Sequence, residues 1–496
     1  DACTRATLDE AVAIDAVKRF VAERDLKAET RYIPKPTVPS LKGSFDEKIA
    51  IIGAGPAGLS CAYFLAEKGY KPVIFEKNER PGGMLTYGIP SYKLEKDLIE
   101  AEIDVIRAMG VEIRCGVEVG KDVTIEQLRA EGYKGFYVAI GCQEGRRPGV
   151  PGEDAKNVYT AVEFLKEAGE KEGFDLGGDV VVVGGGNVAI DAARMSTRCG
   201  QGKVSMFCLE SRDEMPASRE EILEATEENI SINNGWGPKE ILTENGRAVG
   251  VVFKRCTQVY DASHRFAPVY DEKDTITVSC ASVIFSVGQG IAWGDLIKGT
   301  KVALRPNGGA IADKLTYQTA EPDIFVGGDV FTGPKFAIDA IAAGREGAVS
   351  LHRYVHEHCT LTIGRNRRDF IELDKGDLFI ASYDNTDRQR PERAEEEQLC
   401  SFRDLSNTLT EEQVKAETSR CLGCGASVVD PNKCIGCGVC TTKCVFDAIS
   451  LHRELPGCST MIKSEDKLKY VLPNMVKQSL KIRFAGKKGE GNKDHA

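Results

Sequence analysis

The amino-acid sequence predicts an α/β protein with two dinucleotide-binding units and a separate cysteine-rich C-terminal region. A strand, a glycine-rich turn and a helix follow one another from Lys48, and the same order recurs from Asp179, which is the pattern of a dinucleotide-binding unit. Six of the 17 cysteines lie between Cys421 and Cys444. Because a reducing compartment disfavours disulfides, this cluster indicates metal binding.

The composition argues against several classes of function. The chain has 496 residues and a formal net charge of −10, which disfavours a surface that binds nucleic acid or an anionic membrane. No apolar run is long enough to cross a bilayer and no signal-peptide pattern is present, so we expect no membrane insertion and a cytoplasmic location. Because the first residue is Asp1 and not Met, we expect further residues upstream in a longer gene product.

A helical segment is predicted ahead of the first unit, at residues 1–45. Thr7 and Glu10 have the spacing of a capping box, and apolar residues from Ala13 to Val21 recur at helical intervals. The prolines of residues 33–39 then predict an extended connector.

The first dinucleotide site is predicted where the strand 48–52 runs into a GxGxxG turn at Gly53–Gly58. The glycines allow a tight turn, a close approach of the backbone to a pyrophosphate and close packing of the helix on the strand. Glu76 ends the next strand, where a carboxylate can accept hydrogen bonds from ribose hydroxyls. The predicted contacts are Gly53, Gly55, Pro56, Ala57, Gly58 and Glu76.

Three later segments are predicted to complete this first site. The pair Gly328-Asp329 follows a strand and places a carboxylate that suits a flavin ribityl chain. The helix after it is expected to aim its positive N-terminus at an isoalloxazine ring, which carries negative charge when reduced. The residues predicted in these segments are Gly83, Met84, Leu85, Ile89, Gly141, Gly328, Asp329, Ala337 and Ile338.

The second dinucleotide site is predicted at the turn after the strand 179–183, where alanine replaces the third glycine, as the fingerprint allows. Glu210 ends the next strand, and a carboxylate there accepts a bond from a free 2′-hydroxyl but repels a 2′-phosphate, which favours NAD(H). Arg212 and Arg219 are close enough in sequence to keep NADP(H) as an alternative, and Glu210 as a solvated strand end is the structural alternative. The predicted contacts are Gly184, Gly186, Asn187, Val188, Ala189, Glu210 and Arg212.

The C-terminal cysteines follow the ferredoxin spacing C-x2-C-x2-C-x3-C, with Val445 where proline is usual. This spacing predicts one [4Fe–4S] cluster, and its fourth cysteine ordinarily reaches a second cube that the upstream C-x2-C pair would help to hold. Two cubes need eight ligands, for which Cys400 or Cys458 are further candidates. Zinc is the alternative, and it is more plausible for the upstream pair than for the overlapping run. The predicted ligands of this region are Cys421, Cys424, Cys434, Cys437, Cys440 and Cys444.

Residues 1 to about 355 resemble the small (beta) subunit family of bacterial glutamate synthase. This family includes flavin subunits of electron-bifurcating transhydrogenases and the N-terminal half of dihydropyrimidine dehydrogenase. The stretches that carry the resemblance are Gly53–Gly58, Gly82-Gly83 with Tyr87–Pro90, Gly184–Ala189, Ser211–Pro216 and Gly328-Asp329.

The resemblance implies two Rossmann-like domains, with FAD in the first and NAD(P)H in the second, which is inserted into the first. It implies that Cys3 is the remnant of an N-terminal iron–sulfur motif whose other cysteines lie upstream. The family usually has paired arginines for the 2′-phosphate where this chain has Leu209-Glu210. With the ferredoxin-like C-terminal domain, the expected domains are the helical segment 1–45, the FAD domain 46–150 and 281–360, the NAD(P) domain 151–280, a linker 361–410 and the iron–sulfur domain 411–496.

These features predict an FAD-containing electron-transfer subunit of a multi-subunit oxidoreductase that moves electrons between NAD(P)H and [4Fe–4S] clusters. A flavin converts the two-electron hydride of a nicotinamide into the single electrons of a cluster, so we expect no side chain to act as a catalytic acid or base. The expected partners are other iron–sulfur or flavin subunits or ferredoxin, and a bifurcating or transhydrogenase complex is one setting. The alternatives are a glutamate synthase small subunit that serves an amidotransferase and a non-catalytic, cluster-holding subunit. A disulfide reductase is disfavoured because residues 82–93 contain no cysteine pair.

Overall fold

The computed structural model divides into two compact units, Asp1–Cys424 and Gly425–Ala496. The residues that it describes are 3–36, 45–171, 174–200, 202–356, 359–365, 374–375, 380, 382–392, 401–404, 407–424, 429–430, 433–444, 449–452 and 463–486. Cys400 and Cys458, named above as further candidate ligands, lie outside the described residues.

The first unit contains eleven described α-helices and fifteen described strands. The helices are α1 (Ile14–Leu26), α2 (Pro56–Glu67), α3 (Met84–Tyr87), α4 (Lys96–Ala108), α5 (Ile125–Ala130), α6 (Ala161–Glu170), α7 (Asn187–Cys199), α8 (Arg219–Glu227), α9 (Asp329–Thr332), α10 (Ala337–Tyr354) and α11 (Glu411–Ser419). The strands are β1 (Lys48–Ile52), β2 (Val73–Glu76), β3 (Glu112–Cys115), β4 (Tyr133–Val138), β5 (Glu144–Gly145), β6 (Val158–Thr160), β7 (Val180–Val183), β8 (Val204–Cys208), β9 (Ser231–Asn234), β10 (Trp236–Glu244), β11 (Arg247–Tyr260), β12 (Phe266–Ser279), β13 (Ser282–Phe285), β14 (Gln289–Gly290) and β15 (Ile324–Val326).

The N-terminal segment begins with a 3-10 turn, Thr4–Thr7, ahead of α1. The predicted capping box at Thr7 is wrong, because the Thr7 hydroxyl donates to the Thr4 carbonyl oxygen (2.8 Å) and α1 starts after Ala13, which makes no side-chain cap. The 3-10 turn therefore includes Thr7, the residue that the capping-box prediction placed at the start of the helix. The predicted N-terminal helix itself is present.

The first sheet is parallel, with strand order β15-β4-β1-β2-β3. Its central strand β1 is apolar because it is covered on both faces: Ile49 and Ile51 enter one core with α2 and α10, whereas Ala50 and Ile52 enter another. This alternation follows from the two-residue period of a strand. The carboxyl ends of the strands therefore open at one edge of the sheet, where the glycine turn lies.

The second sheet is built in the same way, with the parallel order β6-β13-β7-β8-β9. All of its strands fall in sequence between β4 and β15 of the first sheet, so the second domain is inserted into the first, as predicted. The sequence patterns had not predicted the antiparallel sheet β10-β11-β12, which covers one face of the second sheet. Phe207 of β8 and Phe253 of β11 stack there with ring centroids 4.1 Å apart.

The second unit is described in part. It contains α12 (Val439–Lys443), a 3-10 turn at Ser464–Asp466 and α13 (Lys467–Gly486). Across the described portion of the chain, no helix has the length and apolar character that a membrane span needs.

Candidate cofactor site and cysteine centres

The first glycine turn has no room for side chains at its two ends. Gly53 has φ 103°, and a Cβ there would lie 2.5 Å from the Ala139 carbonyl oxygen. A Cβ on Gly58 would lie 1.9 Å from the Gly53 carbonyl oxygen. Gly55 then precedes α2, whose first residue is Pro56. The turn thus brings backbone N–H groups at the positive end of a helix to the edge of the sheet, where phosphate groups bind well.

Glu76 is rigidly held beside this turn. Its side chain is buried, with 2% of the residue exposed, and its Oε2 accepts a hydrogen bond from the Ala54 N–H (2.8 Å). Its Oε1 accepts from the N–H of Asn78 (2.9 Å) and from the Asn78 side-chain amide (2.7 Å). The carboxylate is therefore fixed at the end of β2, in the place where the fingerprint puts a ribose-binding acid.

A cavity of about 440 Å³ lies over the turn and is lined by both dinucleotide domains. The predicted site residues that line it are Gly53, Gly55, Pro56, Ala57, Glu76, Gly83, Met84, Leu85, Ile89, Gly141, Gly328, Asp329, Ala337, Asn187 and Val188. The predicted residues that do not line it are Gly58, Ile338, Gly184, Gly186, Ala189, Glu210 and Arg212. Sequence patterns did not single out several lining residues from distant segments, namely Val117, Val119, Val162, Leu165, Asp191, Trp293 and Leu296.

Asp329 and α10 form one wall of the cavity. Gly328 has φ 68°, and Asp329 follows it as the first residue of α9. Burial raises the pKa of the Asp329 carboxyl, and the Lys335 N–H donates to its Oδ1 (3.3 Å). Gly344 lets α10 approach α2, because a Cβ there would lie 2.3 Å from the Ala57 carbonyl oxygen. The close packing aims the start of α10 into the cavity.

Lys96 holds the opposite wall, formed by α3 and the residues after it. Its Nζ donates to the carbonyl oxygens of Leu85 (2.9 Å) and Ile89. Burial, aided by the nearby charge of Arg80, lowers the pKa of the Lys96 ammonium to about 8. No sequence pattern indicated this role, because a lysine at the start of an amphipathic helix ordinarily faces water.

The second glycine turn is closed by Glu210. Gly184 has φ 147°, and a Cβ on Gly185 would lie 2.9 Å from the Glu210 Oε2 atom. Only 9% of Glu210 is exposed, and burial raises the pKa of its carboxyl. The alternative of a solvated strand end is therefore wrong. Arg212 and Arg219 are exposed.

A half-buried ionic cluster joins the two domains beside the cavity. Lys93 of the first domain lies 2.5 Å from Asp191 on α7 and 2.5 Å from Glu221 on α8. Burial raises the pKa of the Asp191 carboxyl although Lys93 opposes the shift. Tyr92 lies under the guanidinium groups of Arg194 and Arg198, at 4.8 and 3.9 Å from its ring centroid. These contacts fix the inserted domain against the first one at the point where the cavity spans both.

The six C-terminal cysteines are divided between the two units. Cys421 and Cys424 belong to the first unit, and the C-x2-C-x2-C-x3-C run belongs to the second. Gly436 and Gly438 adopt φ 67° and 77°, the left-handed conformation that glycine allows in tight turns. Among the described residues, no three His, Cys, Asp or Glu side chains are already arranged to hold a metal ion. Thiolate sites commonly assemble only when the metal binds, and this donor set fits an iron–sulfur cluster.

Comparison with known protein families gives two matches. Residues 47–344 match the family model "Pyridine nucleotide-disulphide oxidoreductase", and residues 427–450 match "4Fe-4S binding domain". The first match contains both glycine turns and the cavity. The second contains the whole ferredoxin-spaced run.

Several curated proteins are similar to this chain. The NADP(+)-dependent formate dehydrogenase subunit beta of Moorella thermoacetica is 34% identical over 85% of this chain, which spans 63% of that protein's length. The NAD-dependent dihydropyrimidine dehydrogenase subunit PreT of Escherichia coli K12 is 33% identical, with 72% of this chain and 79% of PreT covered. The glutamate synthase [NADPH] small chain of the same strain is 34% identical, with 68% and 74% covered.

Solved structures show the same fold at low identity. FprA from Mycobacterium tuberculosis, in complex with NADPH, matches with a TM-score of 0.54 and 18% identity, over 62% of this chain and 84% of FprA. The predicted fold class is thereby confirmed. The chain belongs to the pyridine nucleotide-disulphide oxidoreductase family, within its group of glutamate synthase small-subunit-like proteins, and carries a 4Fe-4S binding domain.

Proposed function

We propose that this chain is the FAD-containing electron-transfer subunit of a multi-subunit oxidoreductase and moves electrons between NADH and [4Fe–4S] clusters. The observation that carries the proposal is the cavity lined by both dinucleotide domains. Hydride transfer requires contact between a donor bound to one domain and an acceptor bound to the other, and a cavity that both domains line allows this contact. The match to a pyridine nucleotide oxidoreductase family argues against the alternative of a non-catalytic, cluster-holding subunit, and bleaching of the flavin by NADH tests it directly.

The residues of the first domain fit FAD. When bound, FAD exchanges a hydride with a nicotinamide and single electrons with clusters. The amides of the Gly53–Gly58 turn would hold the pyrophosphate, the braced Glu76 carboxylate would accept from ribose hydroxyls, and Asp329 would face the ribityl chain. The start of α10 would stabilise negative charge on the ring. Val162 and Leu165 of α6 add an apolar side that excludes water from the site.

The second domain is proposed to prefer NADH. Glu210 is buried at the end of β8 and its carboxylate lies against the second glycine turn. A carboxylate in that position accepts from a 2′-hydroxyl and repels a 2′-phosphate. The relatives' names include both NAD-dependent and NADPH-dependent proteins, so the preference of this chain rests on Glu210.

The proposed partners are further iron–sulfur or flavin subunits, or ferredoxin. Each of the three curated relatives is named as a subunit or chain of a larger enzyme. The match to the formate dehydrogenase subunit covers 85% of this chain, compared with 68% for the glutamate synthase small chain. This favours a redox partner over an amidotransferase, and a bifurcating or transhydrogenase complex is the setting that we propose.

The proposal is tested by anaerobic titration of the purified chain with NADH and, separately, with NADPH. We expect flavin absorbance to bleach on addition of NADH, followed by cluster signals in electron paramagnetic resonance (EPR) spectra. Faster reduction by NADPH would contradict the assigned role of Glu210. A colourless protein without iron or sulfide would overturn the whole proposal.

A further inference from the structure

The N-terminal segment is joined to Asp384, Glu417 and Arg420 by a largely buried network of ion pairs and hydrogen bonds. Arg5 and Arg420 are each only 1% exposed. The Arg5 Nη1 donates to the Arg420 carbonyl oxygen (3.1 Å), and the Arg420 Nη2 donates to the Glu10 carbonyl oxygen (2.8 Å). Asp9 pairs with both guanidinium groups, at 2.5 Å from Arg5 and 3.2 Å from Arg420. The two ends of the first unit therefore hold each other in place.

Glu417 is the centre of this network and is 0% exposed. Its Oε1 accepts from the Ala13 N–H (2.7 Å) and from the Arg420 Nη1 (2.8 Å). Its Oε2 accepts from the Gln389 N–H (2.6 Å). A buried carboxylate with three donors has few other arrangements that would satisfy it. The network therefore fixes the position of the residues that follow Glu417.

The consequence of this network is that cysteines far apart in sequence lie in one neighbourhood. The Cys424 Sγ lies 3.3 Å from the Thr4 Oγ1, and Cys3 is the residue that immediately precedes Thr4. Cys421 directly follows Arg420, whose carbonyl oxygen is bonded to Arg5. These three cysteines all belong to the first unit, whereas the ferredoxin-spaced run belongs to the second.

We infer that Cys3, Cys421 and Cys424 are ligands of one iron–sulfur cluster on the first unit, separate from the cluster of the ferredoxin-spaced run. A C-x2-C pair presents two thiolates to one cluster, and Gly423 supplies the left-handed turn between them with φ 62°. Cys3 supplies a third thiolate from the other end of the unit. Three of the four irons of a cube are thus bound by these cysteines, and the fourth takes a ligand from outside this set.

This assignment places in one cluster the cysteines that the sequence analysis assigned to two different clusters. The family resemblance tied Cys3 to an N-terminal motif, and the spacing tied the C-x2-C pair to a second C-terminal cube. Neither pattern indicates that the two segments meet, because they lie more than 400 residues apart. The inference does not depend on which nicotinamide the chain uses.

The first test measures iron, acid-labile sulfide and EPR spectra of the anaerobic, dithionite-reduced chain. We expect C3S, C421S and C424S each to lose the same signal and the same amount of iron, about four atoms per chain for a cube. The double variant C3S/C421S should lose no more than either single variant. Additive losses, or a C3S variant that keeps the wild-type spectrum, would overturn the inference, and so would zinc in place of iron.

Two controls belong to this test. C437S should lose a different signal, because it lies in the ferredoxin-spaced run of the second unit. C359S is the matched surface control, because Cys359 is exposed and is not a predicted ligand. It should keep all the iron.

A second measurement uses only the wild-type protein, so its outcome does not depend on whether the cysteine variants fold. In the wild-type holoprotein, Cys3, Cys421 and Cys424 should resist alkylation by iodoacetamide together, while the exposed Cys359 reacts. Oxidative removal of iron in the presence of a chelator should expose all three at once. Rapid alkylation of Cys3 while the other two stay protected would refute the shared cluster. Bleaching of the flavin by NADH in the same sample reports separately on the proposed function.

Discussion

At the scale of single residues, the site contains charged side chains that are partly or wholly withdrawn from solvent. Glu210, Lys96 and Asp191 each have a pKa shifted by burial. Their sequence neighbours predict little of this, because burial is decided by segments that arrive from elsewhere in the chain. Only Glu210 could be selected in advance, since its distance from the glycine turn is part of a known fingerprint.

Glu210→Ser is predicted to weaken the preference for NADH. The loss of a charged acceptor costs about 1.5–3 kcal/mol, so kcat/KM for NADH should fall by about tenfold to a hundredfold, and NADPH should be used better because the repulsion is gone. Steady-state kinetics with both nicotinamides check this. Glu214→Ser is the matched control because Glu214 is exposed and near in sequence. If both variants behave alike, Glu210 does not set the preference.

Lys96→Met is predicted to remove part of the pH dependence of stability. In the folded protein the pKa of Lys96 is about 8, below its ordinary value of 10.5. At pH below 8 the buried, charged Lys96 ammonium lowers the free energy of unfolding. This destabilisation disappears as the pH rises from 8 to 10.5, because the folded protein releases the proton first. The rise in the free energy of unfolding is at most about 3 kcal/mol, and less because solvent screens a partly exposed group.

Urea unfolding of Lys96→Met and wild type at pH 7.5, 9 and 10.5 measures this contribution. The wild type should gain stability over this range relative to the variant. Lys18→Met is the control, because Lys18 forms an exposed pair with Asp15. Parallel curves for wild type and Lys96→Met would show that Lys96 keeps an ordinary pKa.

At the scale of secondary-structure elements, the glycine turns and their strands were predicted well. The glycine spacing reflects local geometry, and the structure shows the close backbone contacts that it implies. The antiparallel sheet β10–β12 was missed, because its strands carry mixed polar and apolar residues and cover a sheet whose existence must be known first. The capping box at Thr7 failed for a related reason, since a 3-10 turn used the same hydroxyl.

Gly58→Ala is predicted to abolish flavin binding. A methyl group would lie 1.9 Å from the Gly53 carbonyl oxygen, so the turn must open and α2 must move away from β1. Flavin content per purified chain measures the effect. Gly169→Ala is the matched control, because Gly169 lies in α6 with open space around it, and it should keep its flavin and gain about 0.5–1 kcal/mol of stability.

Lys93→Met is predicted to slow the reduction of flavin by NADH while flavin remains bound. Lys93 forms ion pairs from the first domain to both helices α7 and α8. Its loss removes the lysine ammonium from two half-buried carboxylates, Asp191 and Glu221, and a shift of the inserted domain by about 1 Å would lower the rate by about a hundredfold. Stopped-flow absorbance measures the rate.

Lys93→Arg separates positioning from a general loss of stability. It keeps the positive charge between Asp191 and Glu221, so it should recover much of the rate. A Lys93→Met variant that melts earlier but reduces its flavin at the wild-type rate would show that the link is structural only.

At the scale of the whole molecule, the order of the domains could be predicted and the grouping of the cysteines could not. Sequence spacing joined all six C-terminal cysteines in one region, whereas the structure places Cys421 and Cys424 with the first unit. The buried contacts of Glu417 and Arg420 with the N-terminal segment explain the difference. The predicted domain boundaries and the individual binding residues remain predictions.

Cys437→Ala is predicted to stop electron transfer from the flavin to a one-electron acceptor while the reduction of the flavin by NADH continues. The cavity and both glycine turns lie wholly within the first unit, so NADH should still bleach the flavin in this variant. Transfer of electrons onward through the second unit to a one-electron acceptor should fall towards background, because its cluster is lost. Full onward transfer would show that electrons leave the chain by another route.

The inserted domain is entered through β5 and left through β14, and these two short strands pair with each other, Gly145 opposite Gln289. Entry and exit of the chain are therefore side by side. A segment whose ends are adjacent behaves as a cassette: it can be excised, replaced or lengthened in a gene while the scaffold that receives it keeps its shape. Nicotinamide choice in this architecture can thus change by exchange of one contiguous stretch of sequence, provided that the new stretch keeps the faces of α6 and α7 that line the cavity.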